Sequence, residues 1–75
     1  MSIKSTYNKV KGNIVSKGTS MGVVCGYTDS SLIVAVSSGE VGARATDIKG
    51  LKHINLQYGD NIFGFIEINE KDIKL

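Results

Sequence analysis

The sequence predicts an all-β domain, a small and strongly bent five-stranded barrel preceded by one short helix. Three observations point there. Nine glycines and no proline supply the positive φ angles and bends that short strands need, without removing any ladder donor. Isoleucine, valine and threonine are frequent, and β-branched side chains fit a pleated, half-buried surface. The apolar residues fall into short runs bounded by Gly, Ser, Asn or Asp, which is the length scale of strands.

At ~100 to 200 residues per domain, the 75 residues make one domain, 1–75, and a two-domain enzyme is excluded. A chain this short buries only about 60% of its unfolded surface. Twenty-two residues are Ile, Leu, Val or Phe, enough apolar side chain to collapse.

The elements follow in order. Ile3, Tyr7 and Val10 recur at spacings of four and three, and Gly12 follows as a stop, so one or two helical turns are expected over residues 3–10. Residues 13–16 read as a first strand, ended by Lys17-Gly18. Residues 21–27 read as a second, in which Gly22 and Gly26 mark a bulge or strong bend. Asp29-Ser30 is turn chemistry, because an Asp side chain bonds the backbone two residues on. Residues 32–36 are apolar on both faces, with Leu32, Val34 and Val36 on one and Ile33 and Ala35 on the other. That strand is central, or has one face covered by another subunit. A fourth strand is expected near 41–45 and a loop over 47–52. Ile54, Leu56 and Tyr58 then alternate with polar residues, Gly59-Asp60-Asn61 turns, and residues 62–68 return. So many bent strands in so short a chain point to a closed barrel, which removes exposed edges.

The residues that usually carry chemistry are scarce. There is one His, one Cys and no Trp, and the seven carboxylates are scattered. His53 has no Cys, Asp or Glu at ligand spacing, so no metal site is expected. Cys25, between Val24 and Gly26, reads as a small buried residue. The glycines of Gly39-Glu40-Val41-Gly42-Ala43-Arg44 lack the Lys-Ser/Thr ending and the following helix of a phosphate loop. The expectation is a protein without enzymatic activity, catalytic residues, cofactor or small-molecule substrate. A lone Cys25 forms no intramolecular disulfide and residues 1–6 lack the apolar stretch of a secretion signal, so the expected setting is reducing and cytoplasmic. The longest apolar run, 32–36, is far short of the ~18 residues of a membrane span.

Net charge is +2, unevenly distributed. Lys4, Lys9, Lys11 and Lys17 precede Asp29 with no acid among them, whereas five bases face seven acids from Asp29 onward. Clustered lysines on one face suit a phosphate backbone. The plainer alternative is a solvated terminus carrying solubilising charge, and the small net charge favours it.

Two segments carry a family resemblance. Gly22-Val23-Val24-Cys25-Gly26-Tyr27, followed after four residues by Leu32-Ile33-Val34, resembles the first motif of the Sm and Sm-like family. Leu56-Gln57-Tyr58-Gly59-Asp60-Asn61-Ile62-Phe63-Gly64-Phe65-Ile66 is similar to the second, in which a strand ends in Arg-Gly-Asp or Arg-Gly-Asn and an apolar strand follows. The order of a short helix, three strands, a variable loop and a hairpin also fits. The resemblance implies an SH3-like barrel whose hairpin strands pair edge to edge between subunits, closing a homo-oligomeric ring of about six or seven. Phe63 and Phe65 are then candidates for the subunit contact; the alternative is that a bent strand buries both faces.

The family binds uridine-rich RNA at the inner rim of the ring, and this chain departs from that pocket. Thr28 occupies the position of the family's Asp, Leu32 that of its base-reading Asn, and Tyr58 that of its Arg. Leu32 cannot hydrogen bond a base. The resemblance therefore implies an altered site, in which Tyr58 stacks on a base, Asn61 and the Gly59 backbone hold it, and Lys9 and Lys11 contact phosphate.

Two alternatives stand beside RNA binding by a ring. The loss of the Asn at Leu32 suits a ring that has become a structural scaffold. Gly12-Asn13-Ile14-Val15, Lys17-Gly18 and Gly22-Val23-Val24 resemble a KOW motif, which would make the domain a monomeric SH3-like module binding nucleic acid or protein through Lys11 and Lys17.

Overall fold

The structure, a computed structural model, describes residues 3–38, 42–55 and 64–72. It opens with helix α1 (Ile3–Val10). Thr6, Tyr7 and Val10 form its buried face, the spacing of three and four that places side chains on one side of a helix. Gly12 ends it at φ 81°, and the exit is pinned to the sheet by Gly12 N donating to Val24 O at 2.9 Å and Val24 N donating to Asn13 O at 3.0 Å.

Five antiparallel strands follow: β1 (Ile14–Lys17), β2 (Ser20–Thr28), β3 (Ser31–Ser38), β4 (Leu51–Ile54) and β5 (Gly64–Asn69). β2 is the spine. One of its edges pairs along its length with β3, from Met21↔Ser38 to Tyr27↔Leu32. The other edge is shared: β1 pairs with its first half, Lys17↔Ser20 to Ile14↔Val23, and β4 with its second, Gly26↔Ile54 to Thr28↔Leu51. β5 lies on the far side of β3.

A strand serves three neighbours in this way only if it bends, and the ladder slips between Met21 and Gly22 and between Val24 and Gly26. The two glycines of the second strand sit at those slips, as the sequence leads one to expect. A Cβ on Gly22 would overlap the Ala35 carbonyl oxygen, and one on Gly26 would overlap the His53 carbonyl oxygen. Backbone occupies the space a side chain would need.

The β2–β3 turn is bonded differently from expectation. Thr28, 3% exposed, takes its Oγ1 hydrogen bonds from Ser30 N at 3.3 Å and Ser31 N at 3.1 Å, and the hydroxyls of Thr28 and Ser31 lie 2.7 Å apart. Asp29, expected to bond this backbone, is instead 3.3 Å from Lys52 Nζ in an exposed ion pair. A hydroxyl in this role forms the same turn as an Asx side chain.

The core has two parts, one on each face of β3. Tyr7, Val10, Val24, Leu32, Val34 and Ile68 form the first, under α1. Cys25, Ile33, Ala35 and Phe65 form the second, with Ile48, Leu51 and Ile54 packed against it. The doubly apolar β3 is thus central and covered on both faces by this chain, each fully buried aliphatic side chain contributing about 1.5 to 3 kcal/mol. Phe65, a candidate for subunit contact, lies within the second cluster at 7% exposure.

Three expectations need correction. The sheet is strongly bent but, among the described residues, not closed: β4 stays on β2 and β5 on β3. β1 and β4, of four residues each, are both taken up in pairing with one edge of β2. The strand near 41–45 is reduced, in its described part, to a single bridge between Ala43 and Phe65, followed by a 3-10 turn over Ala45–Asp47. The approach of Gly42 to Phe65 and Gly64 is tight enough that a Cβ on Gly42 would come within 2.6 Å of Phe65 O. Finally, part of the expected 47–52 loop is strand: β4 starts at Leu51, because Thr28 and Tyr27 pair with Leu51 and His53. Among the described residues no helix is long and apolar enough to cross a membrane.

Two glycine substitutions separate close approach from backbone conformation. Gly18 has φ 62° but nothing within 4 Å of an added Cβ, so Gly18→Ala is expected to cost about 1 kcal/mol for a left-handed residue. Gly26→Ala forces backbone apart and is expected to cost about 3 kcal/mol or more. Urea-denaturation midpoints check the order, and equal losses would refute the close-approach account.

Candidate functional site

The site is a consequence of the shared edge of β2. The start of β1 and the end of β4 meet head to tail over Val24 and Cys25, where Asn13 O takes Val24 N and Asn55 N donates to Cys25 O at 2.7 Å. α1 crosses this junction, and between helix and sheet lies a cleft of about 620 Å³. The sheet contributes Tyr27, His53 and Asn55, and the helix side contributes Lys4, Tyr7, Asn8 and Lys11.

Its floor is aromatic. Tyr27 and His53 are direct cross-strand partners, so their side chains stand side by side on one face of the sheet. Their ring centroids are 5.8 Å apart at an interplanar angle of 34°. Tyr7 comes down from the helix to complete the cluster, 5.0 Å from Tyr27 and 5.4 Å from His53, edge-on to the imidazole at 64°. Its hydroxyl donates to Cys25 O at 3.5 Å. Tyr7 is 6% exposed, Tyr27 half-buried and His53 exposed. Tyr7 is therefore the buried member of the cluster and His53 the exposed one.

Its rim is basic. Lys4 and Asn8 on α1 and Lys11 just past its end are exposed; they are spaced by four and three, and Lys11 N donating to Tyr7 O at 2.8 Å continues the helical turn, which keeps them on one side. Among the described residues none that lines the cleft is acidic. Lys52, on β4, is paired with Asp29, and Lys4 on α1 and Lys11 just past its end supply the positive charge at the cleft. A second cleft, between the β2–β3 turn, residues 47–50 and β5, has the opposite character: among the described residues its lining holds Asp47, Glu67 and the Lys52-paired Asp29 beside Lys49. Anions are favoured at the first and disfavoured at the second.

The sequence-predicted site residues divide. Lys11 lines the aromatic cleft, whereas Lys9 is exposed on α1 and does not. Tyr58, Gly59, Asn61 and Phe63 lie outside the described residues, so the structure does not bring them to the cleft or away from it. Thr28 and Leu32, which the resemblance aligns with pocket positions, are both buried, one bonding its turn and the other in the core. Sequence reasoning missed Tyr7, Tyr27 and His53 as a group. The signal was a helix tyrosine opposite a strand tyrosine, but the partner of Tyr27 depends on the β2–β4 register, which no local pattern reveals.

Cys25 is a free, fully buried thiol. Burial pushes it up from 9.0 to about 11, with a smaller opposing effect from a hydrogen bond with the Ala35 backbone. Among the described residues no group of three His, Cys, Asp or Glu side chains is placed to hold a metal ion.

The thiol gives a signed prediction. Below pH 9 both folded and unfolded chains keep the proton; between about 9 and 11 the unfolded chain loses it first, so stability falls as pH rises through that window and levels off above it. Denaturation midpoints measured across this range are expected to fall more steeply in the natural chain than in Cys25→Ala. Parallel slopes would show that the buried thiol does not retain its proton.

Comparison of the chain with protein-family models, with curated proteins and with solved structures finds no match.

Proposed function

We propose that this domain binds single-stranded RNA, without enzymatic activity, in the cleft between α1 and the β2–β4 ladder. The observation that carries the reading is the convergence of three rings with two lysines in a cleft whose lining, among the described residues, includes no acid. Unpaired bases stack on exposed rings, at about 1 to 3 kcal/mol per base, with little regard to sequence. Lysines flanking the rings neutralise the phosphates that the strand carries past them. His53 supplies the stacking face, Tyr27 extends it, Tyr7 positions both, and Lys4 and Lys11 meet the backbone.

The resemblance to the Sm and Sm-like family supports the same class of partner and extends the proposal. It adds a homo-oligomeric ring and a second contact to RNA at Tyr58, Gly59 and Asn61, with Lys9 reaching phosphate from the outer side of the helix. The lone cysteine suits a reducing, cytoplasmic setting. Under this reading the departure at Thr28 and Leu32 moves the base-binding function from the family's position to the ring cluster under α1.

Fluorescence anisotropy with a labelled uridine-rich oligonucleotide tests the site. His53→Ala is expected to weaken binding by about 1 to 3 kcal/mol, and Lys4→Ala and Lys11→Ala each to reduce the salt slope by about 0.7. Unchanged affinity in His53→Ala together with an unchanged slope in both lysine variants would remove the cleft from the function. Native mass spectrometry tests the assembly: a single closed oligomer that takes up the oligonucleotide is expected. A closed oligomer that ignores RNA indicates a scaffold, and a monomer that binds it indicates a KOW-like module.

A further inference from the structure

We infer that RNA binding in the cleft under α1 is modulated by pH through His53, whose protonated imidazole becomes a third cation beside Lys4 and Lys11, so that the domain holds RNA more tightly in mild acid than in mild alkali. The inference rests on the nucleic-acid reading above and goes beyond it in assigning a regulating signal and the side chain that receives it.

The placement of His53 makes it the switch. It is exposed and lines the cleft together with both lysines, so a charge gained on its ring is added to theirs and acts on the same phosphates. Histidine is the side chain whose charge changes between about pH 5 and 8, whereas lysine and tyrosine side chains keep their protons there. The groups around the ring are of those constant kinds. α1 brings Tyr7, with ring centroids 5.4 Å apart, and β2 brings Tyr27 at 5.8 Å. Lys4 and Lys11 line the helix side of the cleft. Lys52, the neighbour of His53 in β4, is in an ion pair with Asp29. The thiol of Cys25, whose carbonyl oxygen accepts from the Tyr7 hydroxyl, is pushed up to about 11 by burial and holds its proton throughout this range. Among the described residues none that lines the cleft is a carboxylate, so no anion in that lining offsets the added charge.

The sign follows from the company the charge keeps. Without RNA, an imidazolium at His53 shares the cleft with two ammonium groups, and a phosphate entering the cleft relieves their mutual repulsion. The charged ring therefore favours bound RNA, and by reciprocity bound RNA favours the charged ring, so that binding takes up a proton. Stacking is kept in either state, because the ring stays planar and aromatic. Each phosphate neutralised on a single strand adds about 0.7 to the fall of log affinity with log salt. At about 0.1 M salt the same relation makes one added cation worth about a fivefold gain in affinity.

The test is fluorescence anisotropy of the full chain with an oligouridine, whose bases take up no proton in this range, at about pH 5.5 and about pH 8 and at several salt concentrations. The natural chain is expected to bind about fivefold more tightly at the lower pH, with a salt slope larger by about 0.7. His53→Phe keeps an aromatic face and cannot take the charge, and is expected to show one affinity and one slope at both pH values. His53→Lys carries the charge throughout, and is expected to keep the steeper slope at both. An affinity and slope of the natural chain that do not change with pH overturn the inference, as does a pH dependence that persists undiminished in either variant. These outcomes leave the nucleic-acid reading standing, since RNA is still bound. Failure of the oligonucleotide to bind at either pH overturns both.

Discussion

The close passage of backbone past Gly22 and Gly26 is the constraint on which the rest of this structure depends. β2 has two edges and three partners. It meets that demand by bending where the ladder slips, and both slips coincide with residues that have no Cβ. At Gly22 the backbone of β3 fills the place of a side chain; at Gly26 the backbone of β4 does. A larger residue at either site separates the strands, and with them the two halves of the core.

The bend also explains how so short a chain buries a strand on both faces. β3 places Leu32 and Val34 against α1 and Ile33 and Ala35 against Phe65, Ile48, Leu51 and Ile54. A flat sheet of this size would need a second layer on its far side, which 75 residues can scarcely provide. Curving the sheet lets β4 and the segment before it serve as that layer. The turn at Thr28 sets the geometry of the β2–β3 hairpin, its hydroxyl accepting hydrogen bonds from the backbone of Ser30 and Ser31.

The cleft follows from the same topology. Because β1 and β4 divide one edge of β2, their ends abut over Val24 and Cys25, and the helix that covers the junction leaves a recess beside it. Cross-strand pairing sets Tyr27 next to His53, and helix periodicity sets Tyr7 above them and Lys4, Asn8 and Lys11 along the rim. The separation of charge seen along the chain, lysines first and acids later, becomes a separation in space, with a basic cleft under α1 and an acidic one beside β5. The amino-terminal lysines thus acquire a setting that their number alone does not suggest.

The sequence by itself determined the class of fold, the helix over residues 3–10, the doubly buried strand around 32–36 and the bend at Gly22 and Gly26. These depend on local periodicity and on the absence of a side chain, both of which are written residue by residue. What only the tertiary structure decided is which strands pair. The sharing of β2 between β1 and β4, the openness of the sheet among the described residues, the reduction of 42–45 to one bridge and the start of β4 at Leu51 all depend on long-range register. The ring cluster depends on it too: Tyr7, Tyr27 and His53 are remote in sequence, and their meeting follows from the pairing of Tyr27 with His53 and from the docking of α1. Loop closure and the packing of distant side chains set those contacts, and no spacing along the chain encodes them.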